Sequence, residues 1–179
     1  MIELSAADIA AITGGELIGG AAQASGTIVN SATTDSREAS PGSLFIAKPG
    51  ETSDGHLFVD AAFERGAVLA LVERPVEDAS GSVYPAVLVP DAVLAMGTLA
   101  AEVVRRLRES SPLTVIGITG SAGKTTTKDL LAAILRAEGE TVAPVGSYNG
   151  EVGVPLTIFG AGYGTRYLVM EMGATGIGH

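Results

Sequence analysis

The segment Gly120-Ser121-Ala122-Gly123-Lys124-Thr125-Thr126 holds the residues best suited to chemistry, and that chemistry is the binding of a phosphate chain. A triphosphate needs several backbone N–H donors converging on it, so glycines must let the main chain come close. The start of a following helix adds further donors and a favourable dipole. Lys124 contributes a full positive charge for the β and γ phosphates, and Thr125 is placed to offer a hydroxyl to Mg²⁺. These seven residues are therefore expected to hold ATP. The spacing departs from the common phosphate loop: the position five residues before Gly123 is Ile118, and the glycines are Gly117, Gly120 and Gly123. The competing reading is an ordinary strand-to-helix turn that contains Gly-Lys-Thr. The coincidence of strand, glycines, lysine, hydroxyl and helix weighs against it.

A second candidate is Glu171, which follows the apolar run Leu168-Val169-Met170 at the carboxyl end of an expected strand. Open α/β sheets put their ligands there, and a carboxylate in that place holds Mg²⁺ directly or through water. A rim carboxylate in solvent is the alternative. Between the strands lies Ser147 to Thr157, read as a polar loop. Its Asn149 and Glu151 fit either a substrate contact or simple turn roles. Thr33 to Arg37 and Lys48 to His56 are polar clusters flanking a strand. An Arg beside hydroxyls is a usable diphosphate grip, but the residues by themselves favour a loop of solvated charges. His56 and His179 stand alone and read as structural or surface residues rather than metal ligands.

The elements that must position these groups alternate between strand and helix. Ser5 to Ile12 reads as a short helix with Ser5 and Asp8 forming a capping box and Gly14-Gly15 as its stop, followed by a turn-rich hairpin. Gly42–Ala47, Val68–Val72 and Ala86–Val89 are short apolar runs with the pattern of buried strands, and Val59–Gly66 is a helix between the first two. Ala92–Glu109 is helical in period, with a basic last turn, and Ser110-Ser111-Pro112 ends it. A second unit opens with a strand at Thr114–Thr119, the glycine loop, a helix over Lys124–Glu138, and strands at Thr141–Val145 and Arg166–Met172. The fold class is α/β with mainly parallel pairing. So few strands leave the second sheet uncovered, so a piece of a longer protein is expected, with a weakly stable second unit.

Composition narrows the function classes. With 11 Lys plus Arg against 20 Asp plus Glu, the 179-residue chain carries a net charge of −9, which argues against nucleic acid and anionic lipid as partners. There is no cysteine, so disulfides, thiolate metal sites and cysteine nucleophiles are excluded. The amino-terminal residues lack the basic start and apolar run of a signal peptide, and no apolar stretch reaches the roughly 18 residues that span a membrane. A cytoplasmic location is expected. A phosphate-loop GTPase would need an Asn-Lys-x-Asp segment, which does not occur.

In order, these segments resemble the Mur ligases of bacterial peptidoglycan synthesis, and within them the branch that adds D-alanyl-D-alanine to UDP-N-acetylmuramoyl-tripeptide. The resemblance spans the whole chain. It rests on Thr34-Asp35-Ser36-Arg37, Gly42 to Ala47, Asp54-Gly55-His56, Gly117 to Lys128, Ser147 to Thr157 and Glu171 to Ala174. The Gly-Ser-x-Gly-Lys-Thr loop with Lys128 after it looks more like this branch than its siblings, and it accounts for the glycine spacing. The resemblance implies an N-terminal UDP-precursor domain, here residues 1–111, then the beginning of a phosphate-loop ATPase domain, residues 112–179, with a third domain beyond. It implies Ser36 and Arg37 near the uridine diphosphate, Lys124 and Thr125 at ATP and Mg²⁺, and Glu171 at Mg²⁺, with Lys124 and Glu171 serving catalysis. Asn149 would be a substrate contact. The family commonly writes two asparagines before the glutamate of that loop, and here the second is Gly150. The implied reaction passes the γ phosphate of ATP to the tripeptide carboxylate, and the dipeptide amine then attacks the acyl phosphate. A carbamylated lysine and further metal ligands would lie beyond His179, so a monomeric fragment with little ligase activity of its own is expected. The competing class is a nucleotide-binding module that never catalyses ligation.

Overall fold

The structure is a computed structural model and describes residues 1–50, 53–146 and 148–173. Of the residues singled out above, Glu51, Thr52, Ser147, Ala174 and His179 lie outside the described ones. Contacts divide the chain into two units, Ile2–Leu99 and a second from Ala100 onward.

The first unit opens with strand β1 (Leu4–Ser5) and helix α1 (Ala6–Thr13). The expected capping box is present: the Ser5 hydroxyl accepts from the Asp8 N–H, and Asp8 accepts from the Ser5 N–H. Gly14 ends the helix at φ 66°, a conformation glycine adopts without strain. The hairpin expected next does not form. Strand β2 (Glu16–Ile18) instead pairs antiparallel with the distant β7 (Ala86–Leu88), and β3 (Ile28–Val29) pairs with β1. Short turn-rich segments carry too little pattern to name their partner, and here the sheet edge decides it.

Strands β4 (Ser31–Thr33), β5 (Ser43–Ile46) and β6 (Ala67–Val72) complete a five-stranded sheet of order β2-β7-β6-β5-β4, parallel except at β2. Every residue of β5 is buried, and Leu69, Ala70, Leu71 and Val72 of β6 are fully so. Strands with both faces covered must be apolar throughout, which is why the periodicity read as runs rather than alternation. Helix α2 (Val59–Glu64) packs Val59 and Ala62 on a core with Phe45, Ala70 and Val72. Each large apolar side chain buried in this way contributes about 1.5–3 kcal/mol.

Helix α3 (Ala92–Ser110) runs through the division between the units. Asp91 Oδ1 accepts from the Leu94 N–H at its start, and Ala92, Ala95, Met96, Leu99, Ala100, Val103 and Leu107 form its buried stripe. Near its end Arg105 pairs with Glu102 and Glu109, and Arg106 with Glu102, while Arg108 stands in the last turn.

The second unit contains β8 (Thr114–Ile118), α4 (Lys124–Leu135), β9 (Thr141–Val142), α5 (Gly153–Phe159) and β10 (Tyr167–Glu171). The three strands pair in parallel in the order β8-β10-β9. The span read as a polar loop to Thr157 is thus a helix from Gly153. Its Val-Pro-Leu sequence hid the helix, but Pro155 sits in the first turn, where its missing N–H costs nothing. β9 stops at Val142, just before Pro144. Leu168 and Val169 at the middle of the sheet are fully buried, whereas Leu130 and Ile134 on α4 are exposed.

Candidate functional site

The phosphate-binding candidate sits at the carboxyl ends of β8 and β10, where the chain leaves β8 through residues 119–123 and enters α4. Two of the three glycines shape this turn. Gly120 has φ 150° and Gly123 has φ 76°, while Gly117 lies inside β8, paired opposite Met170. Gly117 matters for space instead, because a Cβ there would meet the Met172 sulfur at 2.9 Å. The unusual spacing thus separates two loop glycines from one inside β8 that lies beside the Met172 side chain.

Gly123 caps α4 in the left-handed conformation with no side-chain hydrogen bond, so the first N–H groups of the helix have no side-chain acceptor. A helix start with open donors and the positive dipole end is suited to an anion. Lys124 Nζ donates to the Gly120 carbonyl at 2.8 Å, which folds the ammonium back over the turn.

Thr125, the second residue of α4, donates its hydroxyl to Glu171 Oε2 at 2.9 Å. Asn149 Nδ2 donates to the other carboxylate oxygen, Oε1, at 2.9 Å. Glu171 is only 2% exposed, so its carboxylate is clamped from both sides rather than solvated at a rim. The Gly173 N–H returns a bond to the Asn149 carbonyl at 3.0 Å, tying the Asn149 segment to the end of β10. Residues 46 and 22 positions apart in sequence thus meet on one carboxylate. Each carboxylate oxygen has lone pairs left over, and together with the Thr125 hydroxyl they make an all-oxygen donor set that fits a hard cation such as Mg²⁺.

Ser36 and Arg37 lie in the first unit on a 3₁₀ turn, Ser36–Glu38. Ser36 is buried, while the Arg37 side chain is 82% exposed and forked onto Asp35, with Nη2 to Oδ2 at 2.6 Å and Nε to Oδ1 at 2.9 Å. The Arg37 guanidinium and backbone N–H lower the Asp35 carboxyl to about 2. This arginine is already paired, so a phosphate must compete with a carboxylate for it. His56 is a structural residue, as expected. It is buried, its Nδ1 meets Asp54 Oδ1 at 2.7 Å, and its Nε2 accepts from the Glu73 N–H at 2.9 Å. Arg74 also bonds Asp54, and this contact with the His56 donors holds the Asp54 carboxyl well below the usual range.

Residues 118–179 match the family described as Mur ligase middle domain, and residues 29–107 match the one described as Mur ligase family, catalytic domain. The chain belongs to the Mur ligase family. It is 41% identical, over 97% of its length, to the UDP-N-acetylmuramoyl-tripeptide--D-alanyl-D-alanine ligase of Mycobacterium tuberculosis strain H37Rv. The chain spans about 37% of that relative's length. Among solved structures, it is similar to the D-alanyl-D-alanyl-adding ligase of Acinetobacter baumannii, at 35% identity and TM-score 0.81 over 98% of this chain and 37% of that one. It is also similar to the MurF ligase of Thermotoga maritima in complex with ADP, at 33% identity and TM-score 0.65 over 80% of this chain and 32% of that one.

Sequence reasoning placed Lys124, Thr125, Asn149 and Glu171 as candidates, and the structure brings the last three into one hydrogen-bonded cluster. It did not foresee that Lys128 would be buried and bonded to the Pro144 and Gly146 carbonyls. The available signal was a lysine one turn after Lys124 on the helix face that meets the sheet.

Proposed function

We propose that this Mur ligase chain supplies the precursor-binding and ATP-binding portions of an ATP-dependent ligase that adds D-alanyl-D-alanine to UDP-N-acetylmuramoyl-tripeptide. The observation that carries the reading is the Thr125–Glu171–Asn149 cluster beside an uncapped helix start. Such a reaction needs charge stabilisation rather than a nucleophilic side chain. In this reading residues 1–111 take the UDP end of the precursor through Ser36 and Arg37, and residues 112–179 begin the ATPase domain. The loop 120–126 would hold the ATP phosphates. Thr125 and Glu171 would hold Mg²⁺, which when bound neutralises charge building on the phosphates. Lys124 leaves the Gly120 carbonyl for the triphosphate, an exchange that favours the phosphate because its charge is greater. Asn149 keeps the Glu171 carboxylate turned toward Thr125. The reading includes a cytoplasmic monomer working on soluble precursors. No helix among the described residues is long and apolar enough to cross a membrane.

Calorimetric titration of this chain with Mg²⁺-ATP and, separately, with UDP-N-acetylmuramoyl-tripeptide tests the proposal. Both are expected to bind, and Arg37→Ala should weaken only the precursor. A folded first unit that ignores the precursor would favour a generic nucleotide-binding module instead.

A further inference from the structure

Lys128 lies one turn beyond Lys124 on α4, and its side chain is 1% exposed. A buried ammonium is tolerated only when its donors are met. Here Nζ donates to the Pro144 carbonyl at 2.7 Å, to the Gly146 carbonyl at 2.8 Å, and to Asp129 Oδ1 at 2.8 Å. The Asp129 side chain is itself 67% exposed, so the charge is balanced from the solvent side. A leucine would fill this space without the desolvation cost. What the ammonium adds is a directed hold on two carbonyls of one segment. That segment follows β9, and three residues after Gly146 comes Asn149, whose amide sits on Glu171. Gly146 is at φ 66°, among the described residues nothing lies within 4 Å of where its Cβ would be, and its carbonyl accepts from Lys128.

We propose that Lys128 is a positioning residue: by holding the Pro144 and Gly146 carbonyls against α4, it fixes the approach of Asn149 and so orients the Glu171 carboxylate toward Thr125. One helix then controls both sides of that carboxylate, through the Thr125 hydroxyl directly and through Lys128 by way of Asn149. The consequence for Mg²⁺ rests on the ATP-binding reading above, whereas the placement of Asn149 does not.

Two variants test it from opposite sides. Lys128→Met keeps the stem and removes the ammonium. Gly146→Ala strains the held turn and leaves α4 untouched, so it carries the test if Lys128→Met does not fold. In the ligand-free chain, hydrogen exchange of the Asn149 side-chain amide, followed by NMR, is expected to speed up roughly tenfold in either variant, the worth of one lost hydrogen bond. In titrations with ATP, the Mg²⁺ midpoint is expected to rise roughly tenfold, as it does when a group that orients a metal ligand is removed. In an Asn149→Ala background, Lys128→Met is expected to add no further shift, because it acts through that amide. A purely structural lysine would add its full effect there. Unchanged amide exchange in the folded variants, or an undiminished Lys128→Met shift in the Asn149→Ala background, overturns the proposal. Should the unmodified chain fail to bind Mg²⁺-ATP, the ATP reading falls, and the amide exchange still decides whether Lys128 positions Asn149.

Discussion

Three helical starts of the first unit and the start of α4 in the second are finished in opposite ways. In the first unit, α1 is closed by Ser5 and Asp8, the 3₁₀ turn at Ser36–Glu38 by Asp35, and the one at Gly55–Phe58 by Asp54. Each uses a short polar side chain to satisfy N–H groups that would otherwise be orphaned. In the second unit, α4 begins at Gly123 with no side-chain cap. In the ATP-binding reading α4 is the end left open for a ligand; α2 and α5 also start without a side-chain cap, so it is the glycines, Lys124 and the Glu171 cluster that set α4 apart. The same holds for the cations: Arg37 rests on a carboxylate, Lys124 only on a neutral carbonyl. A phosphate ligand would displace the second more cheaply than the first.

The comparison can be broken most severely at Lys124. Lys124→Ala is expected to reduce Mg²⁺-ATP affinity about a hundredfold, the worth of a charge-assisted phosphate contact, with the melting temperature unchanged. A lower melting temperature with unchanged affinity would make Lys124 a structural residue. Next comes Gly123→Ala. Among the described residues no heavy atom beyond its chain neighbours comes within 4 Å of the added Cβ, so its expected effect is conformational, about 1–2 kcal/mol of strain in the left-handed region, together with weaker ATP binding. Urea unfolding and calorimetry read the two parts separately. Ser5→Ala sharpens the contrast from the other side: it should cost about 1 kcal/mol of stability in urea unfolding and leave ATP binding as it was.

The smallest expected effect is that of pH on Asp35. Its folded value of about 2 lies below the ordinary value of 3.8, so its stabilising contribution is complete above about pH 4 and is lost as pH falls through about 2. Asp35→Asn keeps an oxygen to accept from the Arg37 N–H but removes the titration. Acid-unfolding curves of this variant should be flatter between pH 4 and 2, by a margin that salt reduces because the pair is exposed. An identical slope would show that the Arg37 fork contributes nothing in solution.

Much of this was legible in the sequence where local physics decides. The cap at Ser5, the stop at Gly14, the apolar runs of β5 and β6 and the strand–loop–helix around Lys124 depend on neighbours a few residues away. The partner of β2 was not legible, because a three-residue strand with no alternation does not specify its pairing. Nor was α5, whose valine-rich start and proline look like a loop until its buried face is seen.

By itself the sequence determined the chemistry on offer: a glycine-flanked lysine and hydroxyl at a helix start, a carboxylate ending a strand, and no cysteine. Tertiary structure alone decided that Thr125 and Asn149 would take one oxygen each of Glu171, and that the Lys128 ammonium would be spent on two carbonyls rather than on solvent. Those pairings join positions 16 to 46 residues apart. Only the parallel stacking of β8, β10 and β9, with α4 against them, brings such positions within hydrogen-bond distance. Spacing along the chain encodes a helix face or a strand edge, and it cannot encode a meeting that three strands and a helix must first assemble.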